Sequence, residues 1–468
     1  MSGKRPKVLD GLSELMVFSN YPEAKNIMIF GFDFEGDIDV DAMNLALSYT
    51  LPSFPEFMSF VKESGTGMEK RLNWFLDPDF KPEFRQTRMT NLDNSLGFEH
   101  SLINSLDQSV NKDWDLLRTV PTEFHVVSLP DGRRSLLALV HHAAADGWTL
   151  ASFYRDLMAH YHRIVTGNEP EWARDYDFVS SVKTRMVEMK NTRLNNTLYF
   201  LKNMLDSYVN KPCLPLGRGE SNKTGVHYSK LVLTSEETKH VTRNVSQRSS
   251  PFIDGLIAGM ARSIDQWNAS YDQKMSGDII ICVTVQMRGR FGEVNTASNS
   301  SSLKIRLGAS ERRDPDVLYK TVSSRRQMEQ ESLSDVRVCM ASNSLADSIR
   351  ILPLKIRQKI GHYVCQMRLI PTLIAPFGLM WPEFRNGRRT GDSYLKEVGK
   401  LNLMEFHAFP YELGYNCPLI LGAYTFRKRL NLQIMASSCL LTAEETVRFT
   451  RLLKDMILES LSAAWQRA

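Results

Sequence analysis

The residues best placed to do chemistry are two adjacent histidines followed, after three alanines, by an acid and a glycine: His141, His142, Asp146 and Gly147. An imidazole changes its protonation state near neutral pH, so histidine is the side chain best suited to general-base catalysis there. Neighbouring side chains at a strand end point to opposite sides. We therefore expect one imidazole to face a cleft while the other packs inside the protein.

The segments on either side of these residues predict how they are held. Residues 134–140 form a short apolar run, and together with residues 123–129 across a Pro-Asp-Gly turn they predict a β-hairpin. Apolar side chains then recur at helical spacing from Leu150 to Ile164, and Gly167 ends that helix. The histidines thus lie at an exposed junction between strand and helix, where a polar side chain can be held towards a cleft.

Strand and helix patterns alternate along the rest of the chain, which indicates a mixed α/β fold. The last helix begins at Thr442, and Glu445 three residues later completes a capping-box pattern. The other predicted elements are a strand at residues 26–32 with a helix after a Gly-x-x-Asp turn, a polar helix at 182–210, a strand at 279–287, and a hairpin of residues 419–426 and 430–435.

A Pro- and Gly-rich stretch at residues 212–225 is the best candidate for a linker between two halves. The length of 468 residues also fits more than one domain. We therefore predict an N-terminal subdomain of residues 1–211 that carries the histidines, and a C-terminal subdomain of residues 226–468.

Composition and charge exclude several classes of protein. The net charge of +5 is modest for 468 residues and predicts no nucleic-acid partner. Residues 369–380 form the longest apolar stretch, which is too short to cross a bilayer. We assign it to core or crossover packing, with an acyl pocket or a peripheral membrane contact as alternatives. Since no secretory signal is recognised, the predicted location is the cytoplasm.

The sequence contains none of the usual motifs of metal-binding, serine-hydrolase or nucleotide-binding proteins. The six cysteines contain no CxxC pair, and His141, His142 and Asp146 do not have the spacing of an HExxH helix. The sequence also has no GxSxG, Walker or GxGxxG motif. We therefore predict no metal site, and neither a serine hydrolase nor a nucleotide-binding enzyme.

The HHxxxDG pattern at a strand end resembles the signature of the acyltransferase superfamily related to chloramphenicol acetyltransferase, which includes peptide-synthetase condensation domains, wax-ester synthases and polyketide-associated acyltransferases. This resemblance implies two chloramphenicol-acetyltransferase-like α/β subdomains in a pseudo-dimeric arrangement, with a tunnel between them. It makes His142 the general base, which takes a proton from a hydroxyl or amine acceptor as the acceptor attacks a thioester. The implied co-substrate is acyl-CoA or the phosphopantetheine of an acyl carrier protein, and no cofactor is tightly bound.

The same resemblance assigns roles to the neighbouring residues. Asp146 and Gly147 complete the site with His142, while His141 and Arg288 are structural members. Asp146 is expected to pair with an arginine rather than to relay charge, and Arg288, at the end of an apolar strand, corresponds to that arginine. The DFGWG motif of plant and fungal relatives has no clear counterpart, since residues 410–415 do not match it.

Three functions remain open at this point. The leading one is a monomeric acyltransferase that acts on a small-molecule alcohol or amine. The second is a stand-alone condensation enzyme that forms an amide between carrier-bound substrates. The third is a catalytically silent docking relative, although an intact set of His142, Asp146 and Gly147 argues against silence.

Overall fold

The structure is a computed structural model that confirms the mixed α/β architecture. None of the helices in its described part combines the length and hydrophobicity needed to cross a bilayer. The described residues are 7–19, 25–90, 98–170, 193–219, 225–247, 251–271, 277–288, 298–366, 370–379, 384–385, 388–389, 397–410 and 417–462.

The strands follow the predicted pattern closely around the histidines and in the C-terminal hairpin. In chain order they are β1 (Lys7–Val8), β2 (Ile27–Glu35), β3 (Ser59–Ser64), β4 (Arg71–Leu76), β5 (Phe84–Arg88), β6 (Thr122–Ser128), β7 (Arg134–His141), β8 (Val226–Val232), β9 (Ile279–Gln286), β10 (Ser300–Leu307), β11 (Leu373–Leu379), β12 (Phe384–Arg385), β13 (Arg388–Arg389), β14 (Glu397–Val398), β15 (Leu401–Pro410), β16 (Leu419–Phe426) and β17 (Arg429–Ser437).

The helices include each one that the sequence predicted, although the predicted helix at 182–210 is described only from residue 193 onwards. In chain order they are α1 (Gly11–Phe18), α2 (Val40–Thr50), α3 (Phe98–Ser105), α4 (Asp107–Val110), α5 (Gly147–Thr166), α6 (Arg193–Val209), α7 (Ser235–Gln247), α8 (Phe252–Ala269), α9 (Pro315–Glu331), α10 (Ser334–Ile349), α11 (Leu354–Gln366) and α12 (Ala443–Ser462). The predicted capping box starts α12, because Thr442 and Glu445 exchange side-chain to backbone hydrogen bonds of 2.9 and 3.2 Å.

The first large sheet holds the histidine strand at its centre. Its six strands run in the order β14, β15, β2, β7, β6, β5. On β2 and β7 the side chains alternate between the two faces, so Phe30, Phe32 and Leu136 form part of one core cluster together with α5 residues such as Phe153. This packing holds α5 against the strand that precedes it.

The second large sheet runs in the order β10, β9, β11, β16, β17, β8. Within the apolar stretch 369–380, which was predicted to be core packing, Leu373–Leu379 form β11. This strand lies inside the sheet and pairs in parallel with both β9 and β16, and residues 369 and 380 lie outside the described residues. β16 and β17 form the predicted hairpin, and Arg427 and Lys428 at its turn have φ of 51° and 59°. Positive φ at both central residues is the geometry that matches the twist of two paired strands.

The chain crosses between the sheets late in the sequence. β15 lies within the range 226–468, yet it pairs along its length with β2 of the first sheet. The division into subdomains 1–211 and 226–468 stays a prediction, and the first sheet draws strands from both ranges. The described part of the predicted linker is ordered by α8, since Trp267 and Asn268 bond to the backbone of Leu214 and Leu216.

Candidate active site

The histidine loop is held between β7 and α5. β7 ends at His141, and α5 begins at Gly147 with Asp146 as its N-cap. The helix ends as the sequence predicted, with Gly167 in the left-handed region at φ 73°. The loop therefore spans only a few residues between two rigid elements, which restricts where each of its side chains can point.

His142 is the half-buried histidine of the pair. Its backbone N–H donates to the carbonyl of Asn26 at 2.7 Å, which ties the loop to the start of β2. Its Nδ1 lies 3.0 Å from the carbonyl oxygen of Ala145. Because a carbonyl oxygen can only accept, Nδ1 must carry the hydrogen. In the neutral imidazole Nε2 is then the atom that can accept a proton.

His141 is completely buried, which agrees with the expectation that one of the two histidines packs inside the protein. That His142 faces a cleft stays a prediction. The Nδ1 of His141 accepts a hydrogen bond from the backbone N–H of Ala143 at 3.2 Å. Burial, with the neighbouring His142, lowers the pKa of His141 to about 3. His141 is therefore a neutral side chain of the core, and its location suits a structural role.

Asp146 accepts hydrogen bonds at both carboxylate oxygens. Oδ1 accepts from the backbone N–H and the hydroxyl of Thr149 at 2.9 and 3.0 Å. Oδ2 accepts from Arg288 at 2.7 Å and from the backbone N–H of Asn299 at 3.0 Å. Burial alone would raise the pKa of Asp146, but Arg288 and these hydrogen bonds outweigh it and hold the pKa below its usual value.

Arg288 follows two residues after the end of β9, a strand of the second large sheet, and its side chain extends to the histidine loop. Its buried guanidinium pairs with Asp146, donates to the Thr149 hydroxyl at 2.5 Å and lies 5.0 Å from the ring centre of Trp148. The predicted Asp146–Arg288 ion pair is thus confirmed, across 142 residues of sequence. We call Asp146, Thr149, Arg288 and Asn299 the loop junction.

Sequence reasoning missed the other partners in this junction. Thr149 stands three residues after Asp146, a spacing typical of a capped first turn that could have indicated the contact. Asn299 contributes only a backbone N–H, so its residue type carries no signal. Its position depends instead on Met287, whose N–H bonds to the Asn299 carbonyl at 2.9 Å.

Gly147, expected from the resemblance to complete the site, has a steric role in the structure. A Cβ at this position would lie 2.3 Å from an atom of the Phe377 ring. Phe377 belongs to β11 and was not identified as a site residue from the sequence. Glycine is required here because an aromatic ring from the second sheet fills the volume of a side chain.

A second polar cluster lies at the other end of β7. Asp33, Glu405 and His407 come close enough to hold a metal ion, but neighbouring groups already neutralise them. His407 pairs with Asp33 at 2.9 Å and Arg133 pairs with Asp33 at 3.1 Å, while Lys230 of β8 pairs with Glu405. We call these five residues the sheet junction. Because the side chains of Arg133 and Lys230 already pair with its carboxylates, a structural role is favoured over metal binding.

Comparison with solved structures shows which fold these elements form. The first condensation domain of the CDA synthetase matches with a TM-score of 0.64 over 98% of this chain and 98% of its own, at 15% identity. The chain has the condensation-domain fold. The TRI3 trichothecene 15-O-acetyltransferase from Fusarium sporotrichioides matches with a TM-score of 0.65 over 97% and 94% of the two chains, at 10% identity.

The condensation-domain fold is also found in a neighbour solved in complex with C8-CoA. A mutant starter condensation domain of the rhizomide synthetase RzmA, in complex with C8-CoA, matches with a TM-score of 0.62 over 97% of this chain and 95% of its own, at 12% identity. The predicted resemblance to the chloramphenicol-acetyltransferase-like superfamily is confirmed at the level of the fold. The tunnel between the subdomains stays a prediction.

Sequence similarity to curated proteins is confined to short segments. CymA of Salinispora arenicola, named as a nonribosomal peptide synthetase, is 25% identical over 154 residues, which are 32% of this chain and 2% of CymA. The isonitrile lipopeptide synthase of Mycobacterium tuberculosis is 32% identical over 72 residues, 15% of this chain and 3% of the synthase. The chain thus spans a small part of these relatives. No family model matches the sequence.

Proposed function

We propose that the protein is an acyltransferase that moves an acyl group from a thioester to a hydroxyl or amine acceptor, with His142 as the general base. The donor would be acyl-CoA or an acyl group on the phosphopantetheine of a carrier protein. The observation that carries the proposal is the 3.0 Å contact between Nδ1 of His142 and the carbonyl of Ala145. It selects the tautomer in which Nε2 is available as a proton acceptor.

The reaction needs only this base to move protons. As the acceptor oxygen or nitrogen attacks the thioester carbonyl carbon, its proton passes to Nε2 of His142. The tetrahedral intermediate then collapses, the carbon–sulfur bond breaks, and the thiolate takes the proton back from His142. An ester or amide and a free thiol are formed, and the enzyme returns to its starting state without a covalent intermediate.

Asp146 supports this chemistry through position rather than through proton transfer. Its Oδ1 accepts a hydrogen bond from Thr149, and its Oδ2 accepts hydrogen bonds from Arg288 and Asn299. A carboxylate held in this way has a lowered pKa and stays charged, so it anchors the start of α5. The loop that carries His142 is thereby connected to the second sheet.

Amide formation between two carrier-bound substrates is the second candidate function. Its support is the local sequence similarity to CymA and to the isonitrile lipopeptide synthase, together with the condensation-domain fold. The proton transfers would be the same, with an amine as the acceptor. The two candidates differ in the acceptor, which is a free small-molecule alcohol or amine in the first and an amine bound to a carrier protein in the second.

Release of free thiol tests the proposal directly. Purified protein is incubated with a panel of acyl-CoA and acyl-carrier donors and with pooled alcohols and amines, and thiol is measured with and without acceptor. Acceptor-dependent release supports acyl transfer. Release with the pooled small molecules supports the first candidate, and release that occurs only with an amine bound to a carrier protein, added as a further acceptor, supports the second. A protein that consumes no thioester from either donor class would be the docking relative instead.

The base is tested with His142→Asn, which retains a side-chain donor near the position of Nδ1 but has no basic nitrogen. We expect activity to fall by roughly 10²- to 10⁴-fold while the melting temperature is kept. His160→Ala is the matched control, because His160 lies near the other end of α5, about 20 Å from Gly147 at the helical rise per residue. Full activity in folded His142→Asn would contradict the mechanism.

A further inference from the structure

Phe377 is set apart from the rest of β11 by an irregularity in the sheet. In the pairing of β11 with β16, Pro376 lies opposite Ala423 and Gly378 lies opposite Tyr424, so Phe377 is an extra residue between them. Such a bulge changes the direction of a side chain and is common beside active sites. Here it accompanies a ring that points out of the second sheet towards the histidine loop.

The ring of Phe377 packs against Gly147, the first residue of α5, directly after the histidine loop. Two of its atoms would be 2.3 and 2.9 Å from a Cβ on Gly147, which places the ring two residues from the carbonyl that orients His142. Phe377 itself is only half-buried. It packs against the first core cluster with part of its side chain and leaves the rest accessible.

The residues behind Phe377 are aromatic and buried. The rings of Phe406 and Tyr424 lie 6.1 and 6.5 Å from it, both edge-on, and both are almost completely buried. The Tyr424 hydroxyl is occupied, since it donates to the Phe406 carbonyl at 2.9 Å. This wall is therefore apolar, which suits a hydrocarbon chain better than a polar acceptor.

We infer that Phe377 is a specificity-determining residue that ends the acyl pocket and limits the length of the acyl chain. The inference rests on the proposed function and adds the substrate class to it: short acyl groups are favoured while the ring is present. Replacing the ring with a methyl group opens the space between Gly147 and the aromatic pair, and longer chains can then enter.

The first test is the acyl-length profile of thiol release, from acetyl-CoA to palmitoyl-CoA, for wild type, Phe377→Ala, Phe377→Leu and Phe377→Trp. We expect the ratio of kcat/KM for octanoyl- over acetyl-CoA to rise at least about tenfold in Phe377→Ala, with a smaller rise in Phe377→Leu and a fall in Phe377→Trp. Phe60→Ala is the control, because Phe60 is a half-buried ring in the small sheet of β1, β3 and β4. An unchanged profile in folded Phe377→Ala, or a change in acceptor preference alone, overturns the inference.

Binding measurements separate this inference from the proposed function. In the His142→Asn background, calorimetry gives the affinity for each acyl-CoA without turnover. If the acyl-CoA that binds most tightly has a longer chain once Phe377→Ala is added, the pocket is supported. This holds even if the wild type transfers no acyl group, in which case only the proposed function fails. An affinity that does not depend on acyl length, with or without the ring, overturns the pocket whatever the activity.

A third variant tests the contact itself. Gly147→Ala places a methyl group against the ring of Phe377 and should lower the melting temperature. Adding Phe377→Ala removes the clash, so the double variant should melt above Gly147→Ala alone or lose less than the two single effects combined. Additive losses would show that the ring does not lie on Gly147, and would overturn the inference.

Discussion

Two polar junctions connect the first sheet to the second, and they are built from different kinds of partners. The loop junction surrounds one carboxylate, Asp146, with a buried arginine and three further hydrogen bonds. The sheet junction consists of several ion pairs, in which Arg133 connects the pair of Asp33 and His407 to the pair of Glu405 and Lys230. They lie at opposite ends of β7, about 20 Å apart at the rise of a strand.

The two junctions also differ in how their charges respond to pH, and this difference fits their distances from the histidine loop. In the loop junction, Arg288 and the hydrogen bonds to Asp146 hold the pKa of that carboxylate below its usual value, so it stays charged near neutral pH. The sheet junction includes a histidine, whose charge changes over an accessible pH range. The carboxylate that anchors the histidine loop therefore does not titrate near neutral pH, whereas the sheet junction depends on pH through His407.

The largest expected loss of folding stability follows from removing one partner of the ion pair in the loop junction. Arg288→Met leaves the Asp146 carboxylate buried without its cation, and removing one partner of a buried pair costs about 3 to 5 kcal/mol. Urea unfolding measures the loss, and a double-mutant cycle with Asp146→Ala should give a coupling well above about 0.5 kcal/mol. Effects that add would mean that the pair does not link the two sheets.

The corresponding change in the sheet junction should cost less. Lys230→Met leaves Glu405 without its main cation, but the Glu405 side chain is 35% exposed and water can solvate it. We expect a loss of about 1 to 3 kcal/mol in the free energy of unfolding. Lys454→Met, which breaks the part-exposed pair with Glu237, is the control and should cost about 1 kcal/mol or less. Equal losses for Lys230→Met and Arg288→Met would remove the distinction between the junctions.

The pH dependence on the alkaline side tests the sheet junction. Burial lowers the pKa of His407, but Asp33 outweighs it, so the pKa is raised above 6.5. The stabilisation is therefore complete below the unfolded value near 6.5 and is lost as pH rises through the raised pKa. Wild-type stability should fall over this range relative to His407→Gln, measured by urea unfolding at a series of pH values. Parallel curves would contradict a charged His407 in the folded protein.

The smallest effect near neutral pH is expected at His141. Its pKa is lowered to about 3 by burial, so the folded protein keeps it neutral while the unfolded chain protonates near 6.5. Stability should therefore fall as pH drops from 6.5 towards 3, since the unfolded state then binds more protons. His141→Leu should remove this contribution, which unfolding curves on the acid side will show. If the acid loss is the same in the variant, His141 is not buried in the neutral form.

Local sequence was sufficient to predict the elements that carry the site. The β6–β7 hairpin, the start of α5 at the histidine loop, its end at Gly167 and the capping box of α12 all depend on residues close to one another in the chain. Turn residues, caps and hydrophobic periodicity act over such short distances, so their signals can be read directly. The resemblance carried by HHxxxDG also led to Arg288.

Tertiary structure alone decided which distant groups meet the loop. β15 crosses into the first sheet, Asn299 presents a backbone N–H, and the bulge in β11 places Phe377 on Gly147. No local pattern marks these residues, because each contact joins segments more than a hundred residues apart and depends on how the sheets pack. The sequence determined a histidine at a strand end. Packing determined the hydrogen bond from its backbone to Asn26 and the aromatic ring of Phe377 against Gly147.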